Sequence, residues 1–117
     1  MVKPYHKLLV WQRAHQFAKA IYAATRQFPR EEQFGLVSQL RRAAVSVPAN
    51  IVEGHIGRSR LDYRRFLAMA QGSLAECEYY LELTRELGFI DRDTYTTLER
   101  QRGEVSFLLN RLVRSTK

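Results

Sequence analysis

The chain has 117 residues, 45% of them apolar and 26% charged, which suits one globular domain and excludes a disordered or low-complexity chain. No apolar run approaches the roughly 18 residues of a membrane span, and the N-terminal MVKPYHKLLVWQRAHQ lacks the apolar core and small-residue cleavage site of a signal peptide. A net charge of +7 and a pI near 10.0 favour a polyanionic partner, while the single Cys77 excludes an internal disulfide and fits a reducing, cytoplasmic setting.

Apolar residues recur at three- and four-residue steps in four segments, and none alternates with period two. The first predicted helix runs from Leu9 to Phe28, with Val10, Trp11, Ala14, Phe17, Ile21, Tyr22, Thr25 and Phe28 as its core stripe and Pro29 as its stop. The second runs from Glu32 to Glu53, with Val37, Leu40, Ala44, Val47 and Ile51 at heptad spacing, closed by Gly54 and Gly57. Ser59, with Asp62 three residues on, reads as a cap for the third. That helix carries Tyr63, Leu67, Ala70, Leu74, Cys77, Leu81 and Thr84 and ends at Gly88. Asp91 or Asp93 caps the fourth, whose stripe is Tyr95, Leu98, Val105, Leu109 and Leu112. Four such helices with short connections predict an all-α, up-down-up-down antiparallel four-helix bundle.

The charge is unevenly spread. Residues 1–30 carry Lys3, Lys7, Arg13, Lys19, Arg26 and Arg30 and no acid, and residues 41–65 carry six arginines against Glu53 and Asp62. Residues 66–99 reverse the sign, with seven acids against Arg85 and Arg92, and the last stretch is basic again. A polarised surface is expected, although cations also simply solvate helix faces.

The stretch SVPANIVEG, residues 46–54, complicates the second helix. On a wheel of about 100° per residue, Gln39, Arg42, Ser46, Asn50 and Glu53 form a polar stripe beside the core face. The remaining sector, Ser38, Arg41, Val45, Pro48, Ala49 and Val52, is small or apolar apart from Arg41. The third helix likewise has a third sector of Met69, Gly72, Ser73, Glu76, Tyr79, Tyr80 and Leu83. Second semi-apolar faces of this kind mark association surfaces. Arg42, Val45, Ser46, Pro48, Asn50, Val52, Glu53, Gly72, Ser73 and Glu76 are therefore candidates for an oligomer interface or a polar seam, in which Asn50, Glu53 and Glu76 meet Arg41 or Arg42. The alternative is that these polar groups are satisfied within one chain. Pro48 removes a hydrogen bond and crowds the carbonyl of Ala44, so a bend near 44–48 is expected, with Ser46 relieving the freed carbonyl.

Catalytic and metal signatures are weak. Glu-x-x-His pairs, a Gly-rich phosphate loop and a nucleophile motif do not occur, so no enzyme, metal or cofactor is expected. His6, His15 and His55 stand apart, and Cys77 falls on a core face as a small hydrophobe.

The segments LVWQRAHQFAKAIYAAT, FPREEQFGLVSQLRRAAVSVPANIVEG, RFLAMAQGSLAECEYYL and LGFI resemble the four-helix-bundle family encoded in intervening sequences of bacterial 23S ribosomal RNA genes. The resemblance covers nearly the whole chain, and its most specific parts are Gln39 through Gly54 and residues 70–78. A sister group comprises accessory proteins of diversity-generating retroelements, similar bundles that form positively charged pentameric rings with a reverse transcriptase and nucleic acid. The resemblance thus implies a homo-oligomer, as a pentamer, and a nucleic-acid-associated role, with a reverse transcriptase or another protein as a further partner. It supplies no catalytic residue.

Two functions follow. One is a basic homo-oligomer that binds RNA or DNA through phosphates, using Arg13, Lys19 and Arg26, then Arg58, Arg60, Arg64 and Arg65, then Arg111, Arg114 and Lys117. With no base-reading motif, shape and charge readout is expected. The other is a structural scaffold or protein-interaction adaptor whose basic surface only solvates it.

Overall fold

A computed structural model describes residues 1–57 and 59–116. Among these residues there are four α-helices and no strand. A 3-10 turn, Pro4–Lys7, precedes α1 (Leu9–Thr25). Its rings dock on that helix: Tyr5 and His6 both pack on Trp11, at 5.0 and 5.1 Å between centroids. The Gln12 amide then donates to the His6 carbonyl at 2.6 Å. α1 stops at Thr25, short of the predicted Phe28. The residue before a proline is pushed out of the helical region, so Phe28 reaches the core from a turn instead.

The second helix also begins later than predicted. Arg30–Glu32 forms a short 3-10 turn, and α2 spans Leu36–His55. Gly35, at the N-cap of α2, separates the two. Gly54 does not close α2 but lies inside it, while Gly57, at φ +87°, makes the left-handed turn. α3 (Arg60–Glu86) starts as predicted, with the Ser59 hydroxyl accepting from the Asp62 N–H at 3.1 Å. Gly88, at φ +79°, ends it. α4 (Arg92–Ser115) is capped by Asp91, which accepts from the Thr94 N–H at 2.7 Å. That hydrogen bond holds the Asp91 carboxyl below the usual carboxylate range.

Each helix contributes its three-and-four-step stripe to one core. Phe17, Ile21, Leu40, Ile51, Leu67, Leu81 and Leu109 are essentially sealed from solvent, each worth about 1.5–3 kcal/mol of burial. Among the expected core residues Tyr22 departs from the forecast: it is 40% exposed, because its ring turns to the boundary with α2. Trp11, Tyr63, Tyr95 and Leu112 are only partly buried at the core's margin.

Every helix packs on its neighbour in sequence, and α1 packs on α4. From α2 to α3 and from α3 to α4 the contacts run in opposite order along the two helices. Arg41 reaches Tyr22 and Thr25; Ser46 meets Ser73, and Gly54 meets Tyr63; Glu78 meets Arg102, and Gln71 meets Asn110; Arg13 meets Glu104. The resulting body measures 43 × 26 × 23 Å.

Part of the polar stripe of α2 is spent inside the chain. The buried Ser73 hydroxyl donates to Ser46 Oγ at 2.8 Å, and the Asn50 amide donates to the Ser46 carbonyl and hydroxyl at 2.8 and 2.9 Å. Ser46 Oγ is thus an acceptor between α2 and α3, which differs from the predicted role of relieving the Ala44 carbonyl.

Candidate nucleic-acid interface

The contacts along the helices decide which charges meet. Leu8 and Leu9, before and at the start of α1, share a surface groove with Leu112, Arg111 and Arg114 at the end of α4. The end of α2 lies against the start of α3, where Gly54 touches Tyr63 and Phe66. The Gln71–Asn110 bond, at 2.8 Å, then ties the early part of α3 to the late part of α4. One end of the body therefore gathers Lys3, Lys7, Arg13, Arg60, Arg64, Arg65, Arg111 and Arg114 against Glu53, Asp62 and Glu104. Among the described residues the rest of the body is balanced, with Lys19, Arg26, Arg30, Arg41, Arg42, Arg85, Arg92, Arg100 and Arg102 standing with Glu31, Glu32, Glu76, Glu78, Glu82, Glu86, Asp91, Asp93 and Glu99. The chain is polarised along its length, and the basic end draws on three stretches far apart in sequence.

The predicted phosphate contacts are not equivalent. Arg13 Nε lies 2.6 Å from Glu104, and Arg65 lies 3.0 Å from Asp62. Surface pairs of this kind are worth about 0–1 kcal/mol, so a phosphate can displace them. Arg60 and Arg64 are exposed in the first two turns of α3. Arg111 and Arg114 are exposed on the last turns of α4, with the Arg111 guanidinium 5.8 Å from the Phe107 ring centre. Lys19 on α1 and Arg26, its C-cap residue, are exposed along a groove shared with α2. Arg58 lies outside the described residues, as does Lys117.

The candidates for an interface or seam separate into two groups. Ser46, Asn50 and Ser73 face one another between α2 and α3, as described above. Arg42 and Glu76 line the same small polar cleft as Ser46 and Ser73, and Arg42 donates to Gln39 at 2.9 Å. The Tyr80 hydroxyl donates to Glu76 at 3.5 Å, and burial together with that carboxylate raises the phenol above its ordinary value. Val45 is 41% exposed, Val52 is half-buried, Glu53 is exposed, and Pro48 is buried beside α1. Gly72 is exposed on α3, in line with the exposed side chains of Met69 and Tyr79.

Sequence reasoning missed Arg102 and assigned Arg41 to the polar seam, whereas Arg41 packs on α1. Arg102 joins α4 to α3, donating to Glu99 at 2.6 Å and Glu78 at 3.1 Å from a side chain only 11% exposed. The hydrogen bond to Glu99 raises its guanidinium pKa further. Arg41 lies over the Tyr22 ring at 4.5 Å and donates to Thr25 Oγ1 at 2.8 Å. Only the i,i+3 spacing of Glu99 and Arg102 was visible beforehand. Cys77 is sealed in the core, and burial, aided by the Glu76 charge, pushes its thiol up to about 12, so it is no nucleophile at neutral pH. Among the described residues no three of His, Cys, Asp and Glu gather as a metal site, and no helix is long and apolar enough to cross a membrane.

These features define an all-α, four-helix protein whose charge is concentrated at one end. Its family model matches residues 6–111, and the chain belongs to the family of 23S rRNA-intervening sequence proteins. Among solved structures it is similar to a protein of unknown function from the S23 ribosomal protein family of Bacteroides thetaiotaomicron. That likeness has 26% identity and a TM-score of 0.82, covering 91% of this chain and 96% of that one. No curated protein matches significantly.

Proposed function

We propose that the protein is a non-enzymatic, cytoplasmic nucleic-acid-binding protein that acts as a homo-oligomer of single-domain, up-down-up-down bundles. The reversed order of the contacts, Ser46 with Ser73 then Gly54 with Tyr63, and Gln71 with Asn110 then Glu78 with Arg102, supports the antiparallel topology, and the shared core supports one domain. One observation carries the binding reading: cations from the N-terminal turn, the first two turns of α3 and the last turns of α4 converge at one end. Side chains from three separate stretches form a patch wide enough to meet several phosphates, and each phosphate contact releases counterions. Recognition is then of backbone charge and shape, for RNA or DNA alike.

Titration of the purified protein with structured RNA and duplex DNA at low and moderate salt tests this, with particle mass recorded in the same buffers. Steeply salt-dependent binding by a particle of fixed mass supports the reading. Absence of binding at low salt sinks it.

A scaffold or adaptor role is favoured by a different observation. α3 exposes Met69 (47%) and Tyr79 (59%) on either side of Gly72, an apolar strip among acids that suits a second subunit or another protein. Homo-oligomer formation is compatible with both functions. Tyr79→Glu and Met69→Glu are expected to leave helicity intact and reduce particle mass; an unchanged mass excludes that strip as the subunit contact.

A further inference from the structure

The groove between α1 and α2 is built differently from the basic end. Val45 and Pro48 of α2 form its apolar side, and α1 presents His15, Lys19, Tyr22 and Arg26 along it. These four stand at i, i+4, i+7 and i+11, which places them within one narrow sector of the helix and alternates ring, cation, ring, cation. His15 and Tyr22 are about 10 Å apart along the axis, at 1.5 Å per residue.

Each ring is buttressed from one side. Trp11 stacks under His15 at 4.8 Å with the planes 9° apart. The Arg41 guanidinium covers one face of Tyr22, anchored by its bonds to Thr25 Oγ1 and the Tyr22 carbonyl. Both rings are thereby held in place with their remaining surface exposed. Among the described residues lining the groove there is no carboxylate, so its charge is wholly positive. Its volume of about 640 Å³ is in the range of ligand sites.

Fixed ring faces interleaved with cations beside an apolar wall are what single-stranded nucleic acid requires. Bases stack on rings irrespective of their sequence, and the phosphates between them meet cations. A duplex keeps its bases stacked inside and has no use for the rings. We infer that the α1–α2 groove is a single-strand track, in which His15 and Tyr22 stack bases while Lys19 and Arg26 take the intervening phosphates. This rests on the proposed nucleic-acid role and extends it from the basic end along the bundle.

Trp11 is the protein's single tryptophan and lies directly under His15, so its fluorescence reports on the track. The experiment titrates the full chain with an oligouridylate of about 12 nucleotides, within single-strand site sizes, and in parallel with a duplex DNA of equal length. Wild type, His15→Ala, Tyr22→Ala, Tyr22→Phe and Val45→Glu are compared, with helicity and particle mass checked for each. The expected result is that the single strand perturbs Trp11 fluorescence in wild type. Each alanine variant should bind the single strand about tenfold or more weakly, Tyr22→Phe should match wild type, and duplex affinity should not move. If the alanine variants bind the single strand as wild type does, the track is wrong, even if duplex binding persists at the basic end. If Val45→Glu shrinks the particle and leaves single-strand binding intact, a second copy occupies the groove and the inference is overturned. If wild type binds neither nucleic acid at low salt, the proposed function itself fails, a distinct result.

Discussion

Gly54 and Gly103 are both helical glycines, and alanine at each would have opposite consequences. A Cβ on Gly54 would stand 2.7 Å from Tyr63 Cδ1 and 3.2 Å from Phe66 Cβ, so α2 and α3 meet there because the side chain is missing. Gly54→Ala gains up to about 1 kcal/mol in helix propensity but overpacks a helix–helix contact, at a cost of about 1–3 kcal/mol. A net loss of stability on chemical denaturation is expected. Gly103 has nothing within 4 Å of such a Cβ, and Gly103→Ala should stabilise by about 0.5–1 kcal/mol. Cys77 supplies a second test at this scale. Its thiol is pushed up to about 12 in the folded chain and returns to about 8.5 on unfolding. Between those values the folded state holds the proton and the unfolded state releases it, so stability present below pH 8.5 declines as pH rises towards 12. Wild type should therefore lose stability with alkaline pH more steeply than Cys77→Ala, and iodoacetamide should label Cys77 at pH 8 only as fast as the chain opens. The residue scale is also where the sequence misled. The spacing of Tyr22 fits the core stripe of the first helix, yet Arg41 captures the ring at the edge, and that long-range partner leaves no trace in local periodicity.

The helices themselves were legible, since apolar periodicity and caps are local. Ser59 and Asp91 cap as their positions suggest, and Gly88 terminates α3. The misplaced boundaries sit where a glycine or proline had two readings. Gly35 delays α2 while Gly54 fails to end it, because a glycine's role depends on what lies across from it. The polar residues of α2 show the same limit. Ser46 and Asn50 looked available for a neighbouring subunit, and the chain uses them to fasten α2 to α3 through Ser73. That fastening is measurable. Ser46→Ala strips the acceptor from the buried Ser73 hydroxyl and from one Asn50 bond, and should cost about 1–2 kcal/mol. Ser46→Ala with Ser73→Ala removes both partners and should cost less than the two single changes together. A double-mutant cycle with coupling of about 0.5–1 kcal/mol is expected, and strict additivity would show that the pair contributes nothing of its own.

At the scale of the molecule, the sequence showed blocks of charge but not their meeting. The arginines around residue 60 and those around residue 112 are separated by two long helices, and only the pairing of α3 with α4 brings them to one end. The same packing leaves acids and cations in balance over the rest of the 43 Å body, so the excess positive charge lies at one end. Under the proposed function a duplex is met by that end, and the salt dependence counts how many phosphates it engages. Each duplex phosphate neutralised contributes about 0.9 to the slope of log K against log salt. Replacing Arg60, Arg64 and Arg65 by alanine should flatten that slope by about 1–3 per chain, weaken duplex binding, and leave helicity and particle mass unchanged, since Arg64 and Arg65 project to solvent. Arg111→Ala with Arg114→Ala should act alike and add to the first set, because both remove charge from the same patch. Replacing Arg85 and Arg92 at the opposite end should leave the slope alone. An equal effect from the two ends would mean that the whole surface binds by net charge, and that the convergence of helix ends has no role. A fall in particle mass with the α3 arginines would instead assign them to a subunit contact.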